Sequence, residues 1–437
     1  MTTNPSEPAK STSLVPGKIL YPFILLTSCF AWWGLANNMT DTLLAAFKRI
    51  MSMSDFQTSL IQIAFYGSYF CFAIPGALFI RKFNYKAGVL LGLGMFIAGG
   101  LLFYPASLTM NYNHFLIALY ILAGGLSILE TSANPYVISI GPEATATQRL
   151  NLAQSFNPLG SISGVVISKF FILSQLVQLS ASERASLDPA ELKDIQLAEL
   201  SAVMGPYVAV AFGLLIIWLL ILTAKMPTDT LADKDHDIHL GRTVKRLIKN
   251  RNYVMGVVAQ FFYVGAQICV WSFTIRYVMQ ALDVNEDMAS SYYIAALILF
   301  SVSRFICTGL MSAFSPGKIL ITLAILAIVM TGIVIVADGM VGVIALVGIS
   351  GCMSLMFPTI YGLGLRGLKG DTKIGGSGQI MAILGGAVIT AVMGQVSDAS
   401  GNIHLSFIVP MFCFVVVTIY GLISIQKKYD VVTTTSK

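Results

Sequence analysis

Two carboxylates, Asp41 and Glu130, stand inside long apolar stretches of this chain, each beside amides at helical spacing. Asn37 and Asn38 precede Asp41 by four and three residues, so a helix puts all three on one side. Asn134 follows Glu130 by four, Asn157 follows Gln154 by three, and Gln62 pairs with Tyr66 in the same way. An ionised side chain at mid-membrane costs roughly 2.5 to 3.5 kcal/mol even on the gentler insertion scales. Groups kept at that cost carry ions, bind a polar solute or pair with each other. The later part of the chain adds Gln260, Tyr263, Gln267, Trp271, Arg304 and Tyr361. Carboxylates and primary amides meet the donor and acceptor needs of a neutral, hydroxyl-rich solute such as a sugar. The rings of Trp271, Tyr263, Phe261 and Tyr361 suit the apolar C–H face of a pyranose. A large cationic solute calls for acids and aromatics without so many amides. Single amides also act as interhelical glue, worth about 0.6 kcal/mol each on average.

The elements that hold these residues follow from composition. Of 437 residues, 56% are hydrophobic and 11% charged, with a mean hydropathy of +0.78. A soluble domain carries about 25% charged residues. The chain therefore reads as an all-α polytopic membrane protein, each span needing about 20 apolar residues. Twelve spans are predicted: 19–47, 57–80, 87–104, 113–140, 150–173 and 202–224, then 253–279, 289–310, 319–337, 341–365, 374–396 and 405–425. The first is too long for a signal peptide and is expected to remain as a span.

The net charge of +6 is topological. Most of the 27 lysines and arginines fall in segments on the side of the N-terminus, while Glu183, Asp188, Glu191, Asp194 and Glu199 crowd one loop on the other side. This positive-inside pattern predicts both termini in the cytoplasm of a multi-pass plasma membrane protein, the bacterial inner membrane. No nucleic-acid partner is implied. The six cysteines all fall in spans, without the spacing of a metal site or a disulfide framework. His114, at the outer end of span four, reads as structural.

The polar stretch 226–252 divides the chain into a six-helix half at 19–225 and another at 253–426, with tails at 1–18 and 427–437. Because six is even, the halves are parallel repeats about an axis along the membrane normal. Pro135 of span four and Pro358 of span ten are the clearest echo. At the same offset, Asp41 and Glu130 correspond to Val264 and Met353, so titratable chemistry belongs to the first half. Arg304 is the one deep cation, open to three roles: closing against a carboxylate as a gate, contacting substrate, or packing.

These residues resemble a known family. Trp33-Gly-Leu-Ala-Asn37-Asn38-Met-Thr-Asp41, Leu129-Glu130-Thr-Ser-Ala-Asn134-Pro135 and Arg149-Leu-Asn-Leu-Ala-Gln154-Ser-Phe-Asn157 are similar to the L-fucose–proton symporters of the major facilitator superfamily. Ala259-Gln260-Phe-Phe-Tyr-Val-Gly-Ala-Gln267 and Phe357-Pro358-Thr-Ile-Tyr361 extend the likeness over nearly the whole chain. The resemblance implies two pseudo-symmetric six-helix bundles around a central site, and uptake of a neutral monosaccharide, L-fucose first, by alternating access. It implies that Asp41 handles the proton, that Glu130 serves sugar recognition and coupling, and that Asn38, Gln154 and Asn157 line the cavity. The chain departs from the superfamily at the loop after span two. There Arg81, Lys82 and Lys86 remain, but Ile80 and Phe83 stand where an acid and a glycine are usual.

The proton is the expected coupling ion; no cofactor or metal is expected, and the protein is expected to be a lipid-embedded monomer. Glucose, galactose or amino-sugar transport, an uncoupled sugar facilitator and a multidrug–proton antiporter are the alternatives. An enzyme is disfavoured, since the spans hold no His-Glu-x-x-His motif and no Ser–His or Asp pair poised for hydrolysis.

Overall fold

The computed structural model describes residues 13–50, 55–172, 175–177, 183–184, 186–227 and 240–426; within these, the side chains of residues 37, 40–49, 55–59, 62, 169 and 203 lie outside the description. A backbone in lipid must satisfy its own polar groups, and helices do so within one segment. Among the described residues, eleven helices are long and apolar enough to cross a membrane. The fifth span is the remaining one, and it comes in two pieces, Ala146–Gln154 and Phe156–Phe171.

Spans one to four are Leu20–Ile50, Asp55–Lys82, Tyr85–Thr109 and Tyr112–Ser139, and span six is Pro189–Thr223. Spans seven to nine are Arg251–Leu282, Glu286–Leu310 and Pro316–Val336. Span ten is split into Gly339–Met353 and Met356–Leu365, and span eleven into Thr372–Met381 and Gly385–Ser400 around a 3-10 turn, Ala382–Leu384. Span twelve is Ile408–Gln426, preceded by a short helix, Ile403–Ser406.

Continuous spans were expected for five, ten and eleven. Hydropathy does not register a break when the residues on both sides stay apolar. Pro158 and Pro358, each third in the second piece of its span, remove one N–H from the helical ladder there. Span six starts well before its apolar stretch. The Asp188 carboxylate caps it by accepting from the Ala190 N–H at 2.9 Å, and Pro189 opens the first turn. Its early turns leave the apolar zone but are tied by a buried ion pair, Arg184 to Glu199 at 2.6 Å.

The packing repeats between halves. Span one lies on the second piece of five, two on four, three on four and six; likewise seven lies on eleven, eight on ten, nine on ten and twelve. Gly160 shows what the first of these contacts needs. A Cβ there would stand 1.8 Å from the Ala31 carbonyl oxygen, so only hydrogen lets the two backbones meet. Ile63, Ile216, Val302 and Ile344 are exposed around the bundle, as lipid-facing residues are.

Lysines and arginines mark one end of the molecule, here the basic end. Lys86 donates to the carbonyls of Leu222 and Ala224 at 2.9 and 2.8 Å, capping span six. Arg149, buried, donates to the Val137, Ile138 and Pro142 carbonyls at the close of span four. A helix at Leu240–Lys249 lies across this end, held by Arg246 to Asp371 at 2.6 and 2.8 Å and by Arg81 to Thr243 at 3.2 Å. The Arg246–Asp371 hydrogen bond raises the guanidinium's already high pKa further.

Candidate functional site

The halves enclose a central cavity of about 210 Å³, below the roughly 300–1,000 Å³ of drug-sized pockets and on the scale of one small solute. Its walls differ in chemistry. The first half supplies Trp33, Asn38, Tyr66, Tyr69, Glu130, Gln154, Asn157 and Ser161; the second supplies Gln267, Trp271, Tyr293, Phe300, Ser301, Arg304 and Phe357, with further apolar residues from both.

Glu130 is 1% exposed. The Tyr69 hydroxyl donates to its Oε1 at 2.9 Å, while Oε2 has no protein partner among the described residues. Two further bonds hold span two against span four beside this pair: the Ser127 hydroxyl donates to the Tyr69 carbonyl at 2.8 Å, and Ser68 to the Tyr120 carbonyl at 2.7 Å. The carboxylate is thus anchored at one oxygen and unpaired at the other.

One turn further along span four, Asn134 accepts from the Gln154 amide at 2.7 Å, joining spans four and five. Beyond the break in span five, the Asn157 amide donates to the Phe30 carbonyl at 3.3 Å, and Ser161 to the Gly34 carbonyl at 3.3 Å. Asn38 reaches the same Gly34 carbonyl at 3.5 Å. Gly34 is required at this crossing, since a Cβ would lie 2.1 Å from the Asn157 carbonyl oxygen.

On the facing wall, the Trp271 indole donates to Ser350 at 3.3 Å and meets Phe300 edge-on at 5.0 Å. The Arg304 guanidinium lies 4.5 Å from the Phe300 ring centre and donates to the carbonyls of Ser354 and, across the halves, Gln154. Other cross-half bonds lie nearer the basic end: Asn151 to Thr359 at 3.2 Å and Gln148 to the Thr308 carbonyl at 3.0 Å. These bonds tie the halves together on the basic side of the cavity. A second cavity of about 480 Å³ lies at the basic end, beside Glu143, Phe314 and Lys369, and holds none of the predicted site residues.

Of those predicted residues, Asn38, Glu130, Gln154, Asn157, Gln267, Trp271 and Arg304 line the central cavity. Four others do not. Asn134 stands behind Gln154, and Gln260 is fully buried with no partner among the described residues. Tyr263 and Tyr361, expected to stack on a solute, are packed within the second half. Tyr263 donates to the Met353 carbonyl at 3.0 Å, and Tyr361 stacks on Phe357. Phe261 packs edge-on against Phe262 and is likewise absent from the wall. Satisfying a phenol or filling the bundle interior outcompetes exposure to the cavity here. The side chains of Asn37, Asp41 and Gln62 lie outside the described residues.

Tyr69 is the principal site residue that spacing missed, along with Ser161, Phe300 and the stacking ring of Phe357. Tyr69 does follow Tyr66 by three on span two, the only sequence signal that it shares that polar face.

The chain matches the Major Facilitator Superfamily model over residues 23–373. It is 40% identical over 414 residues to the L-fucose-proton symporter of Haemophilus influenzae, covering 92% of this chain and 96% of that one. It is also 40% identical over 406 residues to the L-fucose-proton symporter of Escherichia coli, covering 92% of each. A glucose/galactose transporter of Brucella abortus is 31% identical over 407 residues, covering 92% and 94%. A crystal structure of the E. coli fucose:proton symporter superposes with a TM-score of 0.88 at 38% identity, covering 93% of this chain and 98% of that one.

Proposed function

Because this chain belongs to the L-fucose–proton symporter family of the major facilitator superfamily, we propose that it imports L-fucose together with a proton by alternating access. The observation that carries the reading is the two-faced cavity. The first-half wall carries the carboxylate, three amides and hydroxyls beside Trp33, and the second-half wall carries Trp271, Phe300 and Phe357 beside Gln267, Ser301 and Arg304, around a space of about 210 Å³. A deoxy-hexose matches both faces, with hydroxyls to bond and an apolar edge to stack. L-Fucose is preferred to glucose or galactose because identity is 40% to the fucose symporters and 31% to the glucose/galactose transporter.

Glu130 is the sugar ligand in this reading. Tyr69 holds one carboxylate oxygen, leaving the other to accept from a sugar hydroxyl, with Gln154, Asn157, Asn38 and Gln267 completing the polar contacts and Trp271 stacking. Asp41, which follows Asn37 and Asn38 by four and three residues in sequence, carries the proton. Neutralised by that proton, it adds no charge of its own to the loaded site as the halves rock. One charge crossing about 100 mV contributes roughly 2.3 kcal/mol, about fifty-fold accumulation. The working units are residues 19–225 and 253–426, joined through 226–252. The protein acts as a monomer in a bacterial inner membrane, the basic end and both termini facing the cytoplasm, as the distribution of lysine and arginine supports.

The test is uptake of a panel of labelled monosaccharides into cells or proteoliposomes, with external pH recorded at the same time. L-Fucose should accumulate and alkalinise the medium as it enters. Preferred uptake of glucose or galactose refutes the sugar assignment, and uptake without a pH change refutes the coupling.

A further inference from the structure

A proline carries no N–H, so the carbonyl four residues before it in a helix loses its usual donor. Two such carbonyls lie beside the central cavity, one in each half. Gln154 stands four before Pro158 in span five, and Ser354 stands four before Pro358 in span ten. Both spans are broken at these points, with the first pieces ending at Gln154 and Met353 and the second resuming at Phe156 and Met356. A carbonyl at a helix C-terminus also carries part of the negative end of the helix dipole, which favours a cation there.

One side chain reaches both. Arg304 of span eight is 4% exposed. Its Nη1 donates to the Gln154 carbonyl at 3.1 Å, its Nε donates to the Ser354 carbonyl, and its plane lies over the Phe300 ring. Among the described residues no carboxylate pairs with it. Two proline-vacated carbonyls accept from its guanidinium, whose rigid planar donor set reaches both. The Ser354 bond stays within the second half, whereas the Gln154 bond crosses between halves.

We propose that Arg304 is a positioning residue and inter-half latch: it captures the carbonyls vacated by Pro158 and Pro358, sets the break that aims Gln154 and Asn157 into the cavity, and ties the halves on the basic side. Opening the cavity toward the basic end separates span five from span eight. The Nη1 bond to Gln154 then breaks, and the Ser354 bond keeps the arginine in place for reclosure. This resolves the three roles open to Arg304 in the sequence in favour of a gate, one that works through backbone carbonyls.

The test compares the parent with Arg304→Lys, whose single ammonium cannot span both carbonyls, and with Pro158→Ala, which returns an N–H to the Gln154 carbonyl from within span five. Spin labels at Glu143 and Ser312, on the walls of the basic-end cavity, report the separation of the halves in a Cys71→Ser background. Without sugar, both variants should shift the distance distribution toward longer separations. L-Fucose binding should weaken about ten-fold in Arg304→Lys, and Pro158→Ala should weaken it as well, because an N–H returned to the Gln154 carbonyl closes the break that aims Gln154 and Asn157. Distance distributions identical to the parent in both variants overturn the latch, and parent-like L-fucose affinity in Pro158→Ala overturns the positioning role. The proposal rests on reading the central cavity as the sugar site, but the distance measurement does not. A protein that takes another sugar still passes or fails that arm.

Discussion

Replacing Glu130 with glutamine alters one atom and one charge while keeping the shape of the side chain. In the parent, Tyr69 donates to Oε1 at 2.9 Å and Oε2 has no protein partner among the described residues. The amide oxygen of glutamine still accepts from Tyr69, so the change falls on the unpartnered atom. A hydrogen bond to a charged group contributes about 1.5–3 kcal/mol and a neutral one about 0.5–1.5 kcal/mol. The expected loss is therefore about 1–2 kcal/mol, or roughly five- to thirty-fold in Kd. Calorimetric titration of L-fucose into purified Glu130→Gln at pH 8, beside the parent, measures it directly. Thermal unfolding in the same detergent establishes that the variant is folded. A folded variant that binds L-fucose with the parent's affinity removes Glu130 from the sugar site.

Asp41→Asn should abolish accumulation driven by a pH gradient while leaving counterflow exchange of sugar measurable; full proton-driven uptake by this variant refutes the proton assignment. Tyr69→Phe removes the donor to Oε1 and should weaken L-fucose binding about ten-fold or more, read in the same calorimetry. An unchanged Kd would mean that anchoring one oxygen does not orient the carboxylate. Gly160→Ala pushes a methyl against the Ala31 carbonyl, where a Cβ has 1.8 Å. Overpacking of this kind costs about 1–3 kcal/mol or more, so the variant should unfold at a clearly lower temperature, and an unchanged Tm would mean that spans one and five separate freely.

Much of the site was legible because helical spacing is a property of the chain. Glu130 with Asn134, and Gln154 with Asn157, follow from intervals of four and three, and all four meet around one region of the structure. Tyr69 was not legible, since an aromatic residue in an apolar span has the same pattern whether it fills space or holds a carboxylate. Tyr263 and Tyr361 misled for the complementary reason. Their type suits a sugar face, but one hydroxyl is held by the Met353 carbonyl and the other ring stacks on Phe357. Side-chain type states what a residue can bond; its neighbours decide what it does bond.

The sequence by itself determined the membrane class, the twelve apolar segments, the basic end and the two costly acids, because hydropathy and charge are sums over residues and need no contacts. It also placed Pro158 and Pro358 without revealing what they expose. Only the tertiary structure joined Glu130 to Tyr69 across 61 residues, Gln154 to Asn134 across 20, and Arg304 to the Gln154 carbonyl across 150. A proline deprives a carbonyl of its local donor, and the replacement comes from whichever helix the fold brings alongside.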